Sequence, residues 1–154
     1  MAVAVERPIT HKHMFGWAKE QELKSTLEEH LGEELTKTAW RYDSIDFHSA
    51  TRVVELKSRL PLDKYKKPQL PTSFKTWLLP EKKVAAARAS GKPGRAYYFW
   101  DADKSLWYLD YEGADWESFV CGVPTWHTED HYFVPAELWR RVAYSYPSQP
   151  STED

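Results

Sequence analysis

Cysteine is almost missing from this chain, with Cys121 the one copy in 154 residues. A lone thiol excludes an intramolecular disulfide framework and fits a reducing compartment. Long apolar runs are missing too, so nothing reads as a membrane span. The opening Met1-Ala2-Val3-Ala4-Val5-Glu6 lacks the charged-then-apolar layout of a secretory signal. The expectation is a soluble, intracellular (cytoplasmic) protein. Long aliphatic side chains are sparse and mean hydropathy is negative. The core must therefore draw on eight Trp, nine Tyr and six Phe, many of them keeping a polar edge near water. The length suits a single domain, expected over residues 1–144, with a Pro/Ser/acid-rich tail over 145–154 read as disordered.

A strong net charge is the next absence. At −2 the chain does not advertise a polyanion partner, but the average hides an asymmetry. Between Arg52 and Arg95 there are twelve Lys/Arg against Glu55, Asp63 and Glu81, whereas Asp101 to Glu137 holds nine acids and the single base Lys104. One basic and one acidic segment can offer a polyanion-binding face in a nearly neutral protein. Solvated surface is the plain alternative for both. What tilts the reading is where the basic run begins.

It begins in Asp43-Ser44-Ile45-Asp46-Phe47-His48-Ser49-Ala50-Thr51-Arg52-Val53-Val54-Glu55-Leu56-Lys57. Strand alternation over the second half turns Val54 and Leu56 one way, and Val53, Glu55 and Lys57 the other. With His48-Ser49-Ala50 as the bend of a hairpin, Asp46 comes to lie beside Glu55. Two carboxylates that close repel unless a positive group sits between them, and a divalent cation on hard oxygen ligands is the simplest candidate. Asp43 is the rival, but its odd separation from Asp46 puts the two on opposite faces of an unbroken strand. Asp46 is preferred because Ile45 and Phe47 flank it.

Around this stretch the pattern predicts a helix from about Phe15 to Leu31, striped by Leu23, Leu27 and Leu31, with residues 1–14 an exposed leader. Glu20 falls inside that stripe, where a carboxylate needs a partner. Lys24 at i+4 is one choice. Leu35–Arg41, Ile45–Phe47 and Thr51–Lys57 read as a three-strand meander. Ser58–Leu79, interrupted by three of the chain's prolines and followed by Pro80, reads as loop, rich in mixed ammonium groups and rings: Lys64-Tyr65-Lys66-Lys67 and Ser73-Phe74-Lys75. That mixture suits phosphate contact and base stacking. A helix from Pro80-Glu81 to Ala89 carries Lys82, Lys83 and Arg88, and strands follow at Arg95–Trp100 and Leu106–Tyr111. Asp101 and Asp103 are turn residues rather than calcium ligands. His127 and His131 stand at zinc-binding i, i+4 spacing, but Pro124 and Tyr132-Phe133-Val134 argue for loop into strand. Pro135–Val142 reads as a short final helix.

The order of these elements, with Asp46, Glu55 and Lys57 in place and Ile45 where the family's name has proline, resembles the PD-(D/E)xK nuclease superfamily. The likeness covers roughly residues 15–111. It implies an α/β, restriction-endonuclease-like three-layer core, a central mixed sheet flanked by helices. It further implies a Mg²⁺- or Mn²⁺-dependent endonuclease hydrolysing phosphodiester bonds in DNA, acting as a homodimer. By resemblance, Asp46, Glu55, the Leu56 carbonyl and Glu20 hold the metal, and Lys57 completes the catalytic set. Arg59, Lys64, Lys66, Lys67, Ser73, Lys75, Lys82 and Lys83 are the expected nucleic-acid contacts. With no separate recognition module in the sequence, structure-selective or weakly sequence-specific cutting is expected. The alternatives are a non-catalytic nucleic-acid-binding protein on the same fold, and an RNA-directed nuclease.

Overall fold

The computed structural model describes residues 11–38 and 46–147. Helix α1 (His11–Leu31) begins one turn before the expected Phe15, so the supposed leader is partly helical. Its stripe works as the spacing requires: Leu23 and Leu27 are fully buried. Strands β1 (Thr36–Lys37), β2 (Phe47–His48) and β3 (Val53–Arg59) make the antiparallel meander. Asp43, Ile45 and the expected extension of the first strand to Arg41 lie outside the described residues.

The passage after β3 corrects the loop reading. Thr76–Pro80 is a strand, β4, with Trp77 and Leu79 buried on alternate positions. The prolines mislead because they bracket this strand: Thr76-Trp77-Leu78-Leu79 contains none, and Pro80 ends it. Helix α2 (Glu81–Ala89) then starts with Pro80 at its N-terminal boundary. It stops before Gly91, whose φ of +76° is a conformation that glycine adopts without steric cost.

Strands β5 (Gly94–Trp100) and β6 (Ser105–Asp110) follow, with β7 (Val120–Gly122), β8 (His131–Pro135) and β9 (Arg140–Arg141) beyond. The final helix expected from Pro135 shrinks to one 3-10 turn, Ala136–Leu138. Burial of Trp139 pulls the chain back to the core, and Arg140 and Arg141 pair with Tyr108 and Trp107 on the sheet edge. The tail also starts later than expected. Tyr146 stacks on Phe99 at 5.6 Å and its hydroxyl accepts from Lys19 Nζ at 2.7 Å, so the chain is packed at least that far.

The main sheet has six strands in the order β1-β2-β3-β5-β6-β9, and β4-β8-β7 form a separate antiparallel sheet. In the main sheet β3 and β5 run parallel while the remaining pairs are antiparallel, so the α/β class and the mixed central sheet are as expected. Parallel neighbours need a crossover, and residues 60–93, with β4 and α2, supply it. Central β5 is covered on both faces. Tyr97 and Phe99 join Leu23, Leu27, Phe47, Val54 and Leu56 under α1. Ala96, Tyr98 and Trp100 join Val53, Trp77, Leu79, Val84 and Trp139 beneath α2 and the small sheet. The third layer is thus a helix plus a three-stranded sheet, rather than helices alone.

Candidate functional site

Glu55 lies on the face of β3 that also carries Val53, towards α2, while Val54 and Leu56 face α1. The register pairs Phe47 with Val54 and His48 with Val53. Continued one step, it sets Asp46 opposite Glu55, and opposed residues of an antiparallel pair share a face. The Asp46 backbone carbonyl accepts from Thr38 N–H at 2.9 Å, which keeps the meander together at this level. Its side-chain Oδ2 accepts from Leu56 N–H at 2.9 Å, which leaves Oδ1 for a second partner.

The positive group between the carboxylates comes from α2. Lys83 Nζ lies 3.2 Å from Asp46 Oδ1 and 3.6 Å from Glu55 Oε1. Lys83 was expected to meet nucleic acid; the helical period instead places it four residues before buried Ala87, on the inner margin of α2. Lys82 and Arg88 remain exposed. A helical wheel of the segment would have found this.

Glu55 is 5% exposed. Burial pushes its carboxyl above the usual range; Lys83 pulls the other way, and Asp46 adds to the rise. Burial likewise opposes the charge of Lys83, but Glu55 and Asp46 outweigh it and hold the ammonium above the ordinary lysine range. Tyr111 O–H donates to Glu55 Oε2 at 3.4 Å. Its hydroxyl is pushed well up, by burial first and then by the Glu55 and Asp46 charges. Gly94 makes room for this tyrosine, since a Cβ there would stand 2.6 Å from Tyr111 Cδ2. Glu55 Oε1 is buried without a hydrogen-bond partner.

Lys57 follows on the same face. Its charge acts on Glu55, and it helps hold down the pKa of His131, where burial is the larger influence and Arg59 contributes as well. His131 opens β8, so the His pair is not helical. Its Nδ1–H donates to the Glu129 carbonyl at 2.9 Å, and its ring meets that of His127 at 4.6 Å. Among the described residues no three His, Cys, Asp or Glu side chains are clustered as metal ligands.

Glu20 is buried as its position in the stripe requires. It is not gathered with the pair: its carboxylate bridges to Lys37, whose ammonium lies over the Phe47 ring on the α1 side of the sheet. Of the remaining basic candidates, Lys64, Lys66, Lys67, Lys75 and Lys82 are exposed. Arg59 donates to Tyr98 Oη at 3.0 Å and lies over the Phe74 ring. Ser73 Oγ accepts from Leu70 N–H at 3.1 Å, which closes a turn.

No family model, curated protein or solved structure matches this chain. The site must be read from its own chemistry. The two carboxylates are hard oxygen donors, and Glu55 Oε1, buried without a hydrogen-bond partner, suits a small divalent cation. Tyr111 was not singled out by the sequence, and His131 was weighed there only for zinc, because the contacts that bring them towards Glu55 and Lys57 join segments far apart in the chain.

Proposed function

We propose that this protein is a metal-dependent endonuclease that hydrolyses phosphodiester bonds in DNA on a restriction-endonuclease-like core. The observation that carries the reading is the opposition of Asp46 and Glu55 across β2 and β3, with Lys57 two residues along the same edge. The parallel β3–β5 pair, reached by a crossover containing α2 after an antiparallel meander, supports the same reading.

In this reading Asp46, Glu55 and the Leu56 carbonyl hold Mg²⁺ or Mn²⁺. The ion supplies polarisation of the scissile phosphate and a lower pKa for a bound water. Asp46 is oriented by Leu56 N–H through Oδ2, so Oδ1, which Lys83 now holds, is fixed in place before any ion arrives. Lys57 orients the attacking water and offers positive charge to the phosphate as negative charge builds on it. Lys83 offsets one of the two carboxylate charges, and its ammonium would have to give way for a divalent ion to be held there. Glu20 joins, directly or through water, only if Lys37 releases it. Exposed lysines from Lys64 to Lys82 follow the phosphate backbone, and a pair of copies would cut both strands.

Lys83 also favours a second reading. An ammonium already balancing two carboxylates makes a closed structural ion cluster, and the protein then binds nucleic acid without cutting it. Cleavage of duplex, flap, four-way and single-stranded DNA with Mg²⁺ or Mn²⁺ decides between them. The expected result is metal-dependent cutting that falls about a thousandfold in Lys57→Ala, with binding retained. Equal cutting by that variant overturns the nuclease reading, and retained binding without any cutting establishes the second. Single-stranded and duplex RNA in the same panel decide the nucleic acid.

A further inference from the structure

Eight tryptophans are present in the chain. Trp77, Trp100, Trp116 and Trp139 are buried, whereas Trp126 is 77% exposed. It sits in the loop between β7 and β8. Beside it, from the loop between β3 and β4, stands Tyr65, itself 65% exposed. One ammonium joins the two loops: Lys64 Nζ lies 2.9 Å from the Trp126 ring centroid and 5.1 Å from that of Tyr65. So large an exposed indole gains little from burial here, and cation–π contact needs only one of its faces.

Both rings are mounted on built turns. Asp63 Oδ1 accepts from Tyr65 N–H at 2.8 Å and from Lys67 N–H at 3.0 Å, and Lys66 between them has a φ of +62°. Gln69 Nε2 donates back to the Leu60 carbonyl at 3.0 Å. Trp126 has a φ of +69°, and the next residue, His127, donates its N–H to the Pro124 carbonyl at 3.1 Å. A bulky residue in the left-handed region is strained, yet no large burial of its side chain offsets that strain. The turns spend conformational freedom to present rings to water.

The place of this pair in the fold links it to the carboxylates. Strand β3 runs from Glu55 through Lys57 to Arg59 and straight into the loop of Lys64 and Tyr65. From the other side, Trp126 adjoins His127, whose ring touches His131, the residue that feels the charge of Lys57. Lys64 lies over both rings, Lys66 and Lys67 are exposed in the same turn, and the acid of that turn, Asp63, is occupied by main-chain N–H groups. Exposed rings on a turn that carries three lysines fit a flat aromatic ligand with phosphates on both sides.

We propose that Trp126 and Tyr65 form a stacking platform for an unpaired nucleobase of a DNA strand led to the Asp46–Glu55 site. This deepens the nuclease reading and rests on it for the identity of the strand. In a duplex both faces of each base are already stacked, so the platform discriminates in favour of single-stranded, flapped or branched DNA.

The test is binding of the full-length protein to fluorescein-labelled oligothymidine and to a blunt duplex, by anisotropy in EDTA, where no cutting occurs. Trp126→Ala is expected to weaken oligothymidine binding about tenfold while leaving duplex binding unchanged, and Trp126→Phe to retain it. Unchanged oligothymidine binding by Trp126→Ala, or equal losses on both probes, overturns the proposal. So does a fall in self-association of Trp126→Ala in sedimentation without any loss of oligothymidine binding, which assigns the rings to a second copy of the chain. Selective loss without metal-dependent cutting of any substrate leaves the platform standing and removes the nuclease reading. Normal cutting with no selective loss does the reverse.

Discussion

Two ion clusters on opposite faces of the main sheet treat their hydrogen bonds differently. Under α1, Lys19 Nζ donates to Glu22 Oε2 at 2.9 Å and to Tyr146 Oη at 2.7 Å, with Asp101 Oδ1 at 3.5 Å, and Tyr146 O–H in turn donates to Glu22. Every member serves another. Under α2, Lys83 reaches Asp46 and lies 3.6 Å from Glu55, whose Oε1 is buried and has no hydrogen-bond partner. A cluster that only braces a fold gains by closing its hydrogen bonds, because an unmet buried acceptor costs stability. The one beside Lys83 and Tyr111 keeps an acceptor unmet, the acceptor that the proposed cation would satisfy.

The sharpest way to break the comparison is to remove the two ammonium groups in turn. Lys83→Met leaves two facing carboxylates uncompensated. It is expected to lower the unfolding free energy in EDTA by about 2–3 kcal/mol, less than for a wholly buried pair because the lysine is partly exposed. Added Mn²⁺ should restore much of the loss, as read by thermal melts with and without the ion. If Mn²⁺ restores nothing, the open cluster is not a cation site. Lys19→Met should cost about 1–2 kcal/mol, gain nothing from Mn²⁺ and leave cutting unaltered. Were Mn²⁺ to rescue Lys19→Met equally, the ion would be acting elsewhere and the contrast would vanish.

Glu55→Gln has the smallest expected effect on stability and sharpens the comparison through pH. Burial raises the Glu55 carboxyl in the folded state, so folding favours its protonated form. The stability this contributes is fully present below the unfolded value of 4.5 and is lost as pH rises through the higher folded value. The amide cannot ionise and avoids that loss. Glu55→Gln should therefore melt above the wild type at about pH 8, with the gap closing as pH falls towards 4.5. A gap that stays constant across this range would mean that Glu55 is not held up by burial, and the open cluster would then resemble the closed one.

Local pattern already carried much of this protein. The period of 3.6 in α1, with Glu20 inside its stripe, needs only neighbouring residues to be seen, as does the alternation that turns Glu55 and Lys57 away from Val54 and Leu56. Hairpin register likewise follows from a short span, which is why Asp46 could be matched with Glu55 before any fold was known. Other assignments depended on distant partners. Thr76–Pro80 became a strand because β8 pairs with it, and Trp139 escaped a helix because the core behind β4 and β5 could take its ring. Glu20 found Lys37 on a neighbouring strand instead of Lys24 on its own helix. Lys83, an ordinary surface lysine by composition, became the counter-ion of two carboxylates only when α2 was laid across β3. Chain-local periodicity determines which residues share a face; which faces meet is decided by packing, since the buried area and charge balance that settle it exist only once segments far apart in the chain are brought together.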